Sequence, residues 1–461
     1  MPATATAASI VEPARTLPVY GEFDVVVIGG GPAGLAASAS ASNRGAKVLL
    51  VERYGFLGGM GTAGGVTNFA GLYGRKNGDM QQVVHGVVDE LLERIEALGG
   101  LNQPQDGMQG RIRVRSYDVS AYKCAADQLL LASGVQILFH AWAAAVVMEG
   151  EQIKALVVET KSGRQAIRAK CFIDCSGDAD VAHFAGVPFE LGDGQGSSLF
   201  PTTMFRVGHV DAPRALAAIG DFKAINDFMA KSQRDKPGVY KFPREGAIVR
   251  PQKNPTEWRA NVTQICNASG AAMNATDARQ LSDGELEGRR QIIEYFKFLR
   301  NEVPGFEQSA IVDIAAQIGI RETRRIQGLY ALSGEDILSS ARFDDAIGIN
   351  AWPMELHSAG RIEWHFPRST GQAQGRVYND LPWRMLVPVK VSNLLVAGRC
   401  ASMTHDGQSA ARASGGCFVM GQAAGTAAAG LQSDQTFADV NPAELQRALR
   451  REGVYFDDDT L

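Results

Sequence analysis

Two groups of residues in this chain have the types and spacing to do chemistry. The first is Gly29-x-Gly31-x-x-Gly34, which follows an apolar run at residues 24–28 and opens into alanines. Such a run suits a buried parallel strand, and the alanines suit a helix. Gly29 allows a tight turn, Gly31 lets a pyrophosphate approach the backbone, and Gly34 lets helix and strand pack closely. Pro32 and Ala33 fall in the helix's first turn, whose free N–H groups and dipole favour phosphate. A second apolar run at residues 47–51 ends in Glu52, eighteen residues beyond Gly34 and followed by Arg53. A carboxylate there is placed to accept hydrogen bonds from a ribose diol. Strand, glycines, helix, strand and acid together point to a dinucleotide.

The next stretch indicates which dinucleotide. Seven glycines fall between Gly55 and Gly71, interleaved with Phe56, Leu57, Met60, Val66 and Phe69. That mixture reads as backbone laid along a larger ligand, FAD, rather than as a surface loop. Gly59 and Met60 are therefore cofactor-side candidates. Residues 176–186 lack a second fingerprint, so no separate NAD(P)H domain is expected. Asp178, just after an apolar strand at 171–174, is a candidate for the ribityl chain or pyrophosphate; an Asx turn or helix cap is the other reading. Ala144 is a further cofactor-side candidate, in a meander expected over 141–172.

The second group is THDGQSAARASGG, residues 404–416. It follows a short apolar strand at 393–397 with Gly398 and Arg399, and it precedes a small-residue helix expected over 414–429. A helix N-terminus at Gly415 and Gly416 would stabilise the negative charge of reduced flavin, and Arg412 would add to it. His405 is placed to take a proton while hydride passes to flavin N5, and Asp406 to orient it or cap a turn. His357 is a second base candidate, among Trp352, Trp364 and His365, which suit a cavity wall. Arg384 is the third catalytic candidate. Arg321, Arg324 and Arg325 in RETRRIQG are read on one side of a helix, holding either an anionic ligand or nearby acids.

The rest of the chain must position these groups. It has 461 residues, 45% hydrophobic and 21% charged, with a formal net charge of -4. That is an ordinary globular composition, and no basic run suggests nucleic acid. Six cysteines show no iron–sulfur or disulfide spacing; Cys171 and Cys175 read as small buried hydrophobes. Histidine spacing predicts no metal site. No signal peptide and no membrane span are expected, which implies a cytoplasmic location by elimination. Helices are expected at 83–98, 117–131 and 283–299. The expected fold class is α/β: a discontinuous Rossmann-like FAD-binding domain with an inserted α+β substrate domain. Its parts are a flexible arm (1–20), the FAD domain (21–200), the substrate domain (201–384), the returning FAD segment (385–435) and a helical C-terminal tail (436–461).

The motifs VVVIGGGPAGLAAS, LLVER, GFLGGMGTAG, DCSGDADVAHFAGVPFELG, GIRETRRIQGLYALSGEDIL, LPWRMLVP and NLLVAGRCASMTHDGQSAARASGGCFVMGQAAG span about residues 23–430. Through them the chain resembles the FAD-dependent oxidoreductases related to the flavoprotein subunits of fumarate reductase and succinate dehydrogenase. The resemblance implies a glutathione-reductase-like FAD domain and matches Gly29, Gly31, Gly34, Glu52, Arg53, Gly59, Asp178, Gly398 and the 415–421 region to cofactor positions. The arginine and histidine pattern of fumarate reductases is not clearly matched. The expected activity is oxidation of a small organic substrate by hydride transfer to flavin, with reoxidation by oxygen or an acceptor protein. An NAD(P)H-dependent monooxygenase, a carbon–carbon double-bond reductase and a non-catalytic flavoprotein are the alternatives. A homo-oligomer is possible on this reading, and the apolar, aromatic segment 343–385 suits a ring-bearing substrate.

Overall fold

The computed structural model describes residues 10–220, 222–368, 375–432 and 435–457. Residues 1–9 of the expected arm lie outside them, and residues 10–18 carry no regular structure. A seven-stranded sheet organises the cofactor half. Its parallel strands run in the order Gln136–Leu138, Val48–Val51, Val19–Ile28, Gly163–Asp174, Leu394–Val396. The runs VVVI and VLLV are fully buried, as strands covered on both faces require. The meander strand Gln152–Thr160 pairs antiparallel onto the first half of Gly163–Asp174, and Trp142–Glu149 pairs antiparallel onto Gln152–Thr160. Gly150 and Gly163, at their turns, adopt φ of +61° and +101°. Leu394–Val396 pairs with the other half, so the chain returns to its first sheet after a long excursion.

Two helices pack against this sheet at close range. Pro32–Asn43 begins with proline at its first turn, where a missing N–H is harmless. Ser414–Gly430 is almost wholly buried, and its composition of Gly, Ala and other small residues suits that. Gly421 and Gly425 press on the carbonyls of Ala33 and Ala37, and a Cβ at either position would collide with that backbone. The other expected helices appear at Val87–Ala97, Val119–Ala132 and Ala278–Glu302.

A second, antiparallel sheet forms the cap, in the order Ile248–Pro251, Trp258–Asn261, Phe205–Gly208, Ala310–Ile314. Alternation gives it two faces. Val249, Trp258, Ala260, Phe205 and Val207 join Ile292, Tyr295, Phe298 and Leu299 of the long helix in one apolar core. Ile248, Arg250, Arg259 and Asn261 face the opposite way, into a cavity. RETRRIQG is not helical: it is extended, with Arg325–Ile326 pairing onto Phe189–Glu190. Its arginines part company as a result. Among the described residues no helix is long and apolar enough to cross a membrane.

A cofactor and substrate cavity

One cavity of about 850 Å³ runs between the parallel sheet and the cap. That is at the upper end of small-molecule sites, ~300–1,000 Å³. The strands ending at Ile28, Val51, Asp174 and Val396 all stop at the same edge of the sheet. Gly29, Glu52, Ser176 and Gly398, just beyond those ends, line the cavity. This is where ligands of open parallel sheets bind.

The fingerprint performs as its spacing predicts. Gly29 has φ +97°, and a Cβ on it would strike the Cys175 backbone. A Cβ on Gly34 would enter the Gly29 carbonyl, so only glycine lets helix and strand meet here. Gly31 keeps open space above it, the nearest atom to a Cβ being Gly59 Cα at 3.6 Å. The glycine-rich loop folds onto this turn: Gly58 N–H donates to the Gly30 carbonyl at 2.8 Å. Gly31, Pro32, Ala33, Gly59 and Met60 all line the cavity. Glu52 accepts from Gly30 N–H at 2.7 Å and from Tyr54 N–H at 2.9 Å. Burial raises its pKa against those hydrogen bonds.

The cations near this end divide between structure and ligand. Asp178 is buried and tied to Arg399 at 2.9 Å, Thr323 Oγ1 at 2.9 Å and Arg53 at 3.6 Å. It anchors both arginines, while Ser176, Gly177 and Asp180 beside it line the cavity. Burial first, then the neighbouring Asp178 charge, pushes Asp180 up to about 6. Arg399 leaves one buried Nη1 without a hydrogen-bond partner, a donor available to a phosphate oxygen. The glycine cradle, the Glu52 carboxylate and the orphaned guanidinium nitrogen fit FAD along one wall.

Several expected site residues lie elsewhere. His405 Nδ1 sits 2.9 Å from the buried Glu322, which also pairs with Arg325, and His405 is not among the cavity-lining residues. It is the first residue of a short helix capped by Thr404, and its ring meets Glu322. Arg384 is half-exposed, paired with Asp345 at 2.9 Å and stacked over Tyr330. Ala144 lies on the meander strand and does not line the cavity. Gly415 and Gly416 do not line it either, because they pack on the backbone of Gly71 and Ala411. The helix end reaches the cavity instead through Arg412, Ala413, Ser414 and Cys417. Of the three arginines in RETRRIQG, Arg324 pairs with Asp180 at 3.0 Å and Arg325 with Glu322, leaving Arg321 in the cavity wall. Cys171, Cys175, Cys400 and Cys417 are buried free thiols, and burial pushes Cys171 up to about 12.

His357 does line the cavity, on the hairpin strand Met354–Ser358. Two residues earlier on the same face, Glu355 places Oε1 3.2 Å from His357 Nε2. Glu355 also accepts from Trp352 Nε1 at 3.1 Å and lies 3.9 Å from Arg412. Burial opposes its ionisation, but His357, Arg412 and Arg321 outweigh that and hold it at about 2. Burial, then the charge of Arg321, lowers His357 to about 3. Near neutral pH the pair is carboxylate and neutral imidazole. Glu355 was not anticipated, although the i, i+2 spacing in ELH is a same-face signal on a strand. Arg259 was also missed, since nothing local distinguishes a buried arginine from a surface one. Trp352 and Trp364 meet edge to face, 5.7 Å between ring centres, on the cavity wall.

Among known proteins, 169 residues of this chain are 30% identical to the thiamine thiazole synthase of Methanococcus vannielii, covering 35% of this chain and 58% of that one. The chain thus spans little more than half the length of the curated relative it matches. Similar solved structures include a geranylgeranyl bacteriochlorophyll reductase-like protein of Thermoplasma acidophilum, at 12% identity and TM-score 0.45 over 94% of this chain and 82% of that one. Another is the anhydrotetracycline hydroxylase OxyS of Streptomyces rimosus, at 15% identity and TM-score 0.42 over 93% and 65%. The pattern of one family extends over residues 24–449, from the first strand to the last helix, and by that match the chain belongs to the FAD dependent oxidoreductases, with FAD as its cofactor.

Proposed function

We propose that this enzyme is a dehydrogenase or oxidase of a small organic molecule bound in the cap half of the cavity. The observation carrying this reading is the joining of a dinucleotide cradle and a buried imidazole–carboxylate pair in one cavity. Gly31, Glu52, Arg399 and the Arg412–Ser414 segment would hold FAD, which when bound would supply a two-electron acceptor for a hydride equivalent. His357, uncharged near neutral pH, accepts the proton the substrate gives up, and Glu355 orients the ring and balances the resulting imidazolium. Trp352, Trp364 and the cap sheet exclude water from the substrate. Electrons leave to oxygen or to an external acceptor protein. Kinship with the fumarate reductase and succinate dehydrogenase flavoproteins belongs to this proposal too. Reoxidation of chemically reduced holoenzyme by fumarate tests it.

The main test is anaerobic absorbance of the holoenzyme, titrated in turn with organic substrates and with NADH or NADPH. Bleaching of the flavin band by an organic compound alone is expected, with loss of the reductive rate in His357→Gln. Bleaching by NAD(P)H alone would overturn the reading in favour of a monooxygenase or double-bond reductase.

A further inference from the structure

The cap face that walls the cavity carries an arrangement that a sheet avoids. Arg250 stands directly opposite Arg259, and Arg259 directly opposite Arg206, across neighbouring antiparallel strands. Directly opposed residues share a face, and like charges there destabilise the sheet. Arg206 is neutralised at once, by Glu257 and Asp313, each at 3.2 Å. Arg259 is not. It is buried, and among the described residues no carboxylate lies within ion-pair distance of it. Its Nη1 meets only the sulfur of Met204, at 3.4 Å, and its Nη2 the amide oxygen of Asn68, at 2.9 Å once that amide is turned to suit. Its Nε is buried without a hydrogen-bond partner.

Arg321 repeats the pattern from another segment of the chain. It is buried, lines the same cavity, and among the described residues has no ion pair; its Nη1 donates to the Phe200 carbonyl. Burial followed by the charges of Arg412 and Arg244 weakens its hold on its proton, and burial with Arg250 lowers Arg259 to about 10. Of the cap-side carboxylates that line the cavity, Glu245 is exposed and Glu355 is already shared with His357 and Trp352. Leaving buried guanidinium groups without a counter-ion is costly. A cavity that keeps them is built to receive one from outside.

We propose that the substrate is an organic acid whose carboxylate is held by Arg259 and Arg321, and whose apolar body lies against Trp352, Trp364 and Ile362. The assignment rests on reading the cap half of the cavity as the substrate site. It adds the charge of the substrate and the residues that recognise it. Guanidinium forks suit a planar carboxylate. They also place it on the cap sheet, away from the glycine cradle and Arg399, which serve the cofactor phosphates.

The test is equilibrium titration of the FAD-loaded protein with benzoate and with its neutral isostere benzamide, following the flavin spectrum and the melting temperature. Saturable perturbation and a raised melting temperature are expected with benzoate, and neither with benzamide at the same concentration. Arg259→Met and Arg321→Met should each weaken benzoate at least ~10-fold with flavin content unchanged, and Arg259→Lys should recover part of the loss. The benzoate–benzamide comparison needs no variant, so it decides the matter even where one fails to fold. Equal binding of the two compounds, or wild-type benzoate affinity in both methionine variants, would overturn the assignment. Inorganic phosphate displacing benzoate at lower concentration would overturn the choice of carboxylate. Benzoate binding with a flavin that no organic compound can bleach would keep the acid site and sink the dehydrogenase. Bleaching by neutral compounds alone would do the reverse.

Discussion

At the fingerprint end the cavity wall is mainly backbone: three glycines, a helix N-terminus and the carboxylate of Glu52. At the cap end it is mainly side chains: Arg250, Arg259, Arg321, the Glu355–His357 pair and two tryptophans. The first end is shaped by what is missing, a Cβ at each glycine. The second is shaped by Arg259 and Arg321, buried and, among the described residues, without ion pairs. Recognition through backbone tolerates no change of shape; recognition through charge responds to any change of balance.

That contrast predicts how each end fails. The largest effect should come from Gly34→Val, whose side chain has to occupy the position of the Gly29 carbonyl. The purified variant should carry no flavin band, whereas Arg259→Met should carry a full one. Full FAD content in Gly34→Val would erase the distinction. Next is Glu355→Gln, which removes the buried carboxylate paired with His357 and Arg412 and should cost ~3–5 kcal/mol. Because it raises the positive balance, it should also tighten benzoate binding, and benzoate should restore part of the lost melting temperature. Denaturant unfolding with and without benzoate checks both halves.

A smaller effect is expected from Glu52→Gln. The amide keeps one acceptor for the Gly30 and Tyr54 N–H groups but loses charge toward the ribose. FAD affinity should fall by roughly 1.5–3 kcal/mol, measured as the fluorescence of released flavin on dilution. The last is a pH effect confined to the cap. The folded pKa of His357, about 3, lies below its unfolded value. The unfolded chain therefore binds the extra proton, and stability falls as pH drops from ~6.5 toward 3. Glu355, at about 2, adds a loss in the same direction below ~4.5. Melting temperatures from pH 7 to pH 4 should decline less steeply in His357→Gln than in the parent.

The same contrast explains what was legible in the sequence. The glycine fingerprint, Glu52, the glycine-rich loop and the small-residue helix are each set by neighbours a few positions away, so local pattern was enough. The cap end assembles Arg259, Arg321 and Glu355 from three separate segments, and no local spacing relates them. RETRRIQG misled because charged residues at helical spacing also occur in an extended segment. There each arginine found a different destination. His405, read as an acid/base beside the flavin, has a partner that local sequence does not show: Glu322, eighty-three residues earlier in the chain, meets its ring.

The contact of Gly421 and Gly425 with Ala33 and Ala37 also bears on how the protein is made. The helix that closes the cofactor wall emerges from the ribosome only after the entire cap has been translated. Until then the fingerprint helix exposes an alanine surface, and the parallel sheet lacks the strand Leu394–Val396. Contacts so distant in sequence form slowly, so FAD loading belongs late in biosynthesis. A nascent chain stalled within the cap should be a client for chaperones rather than a partial flavoprotein.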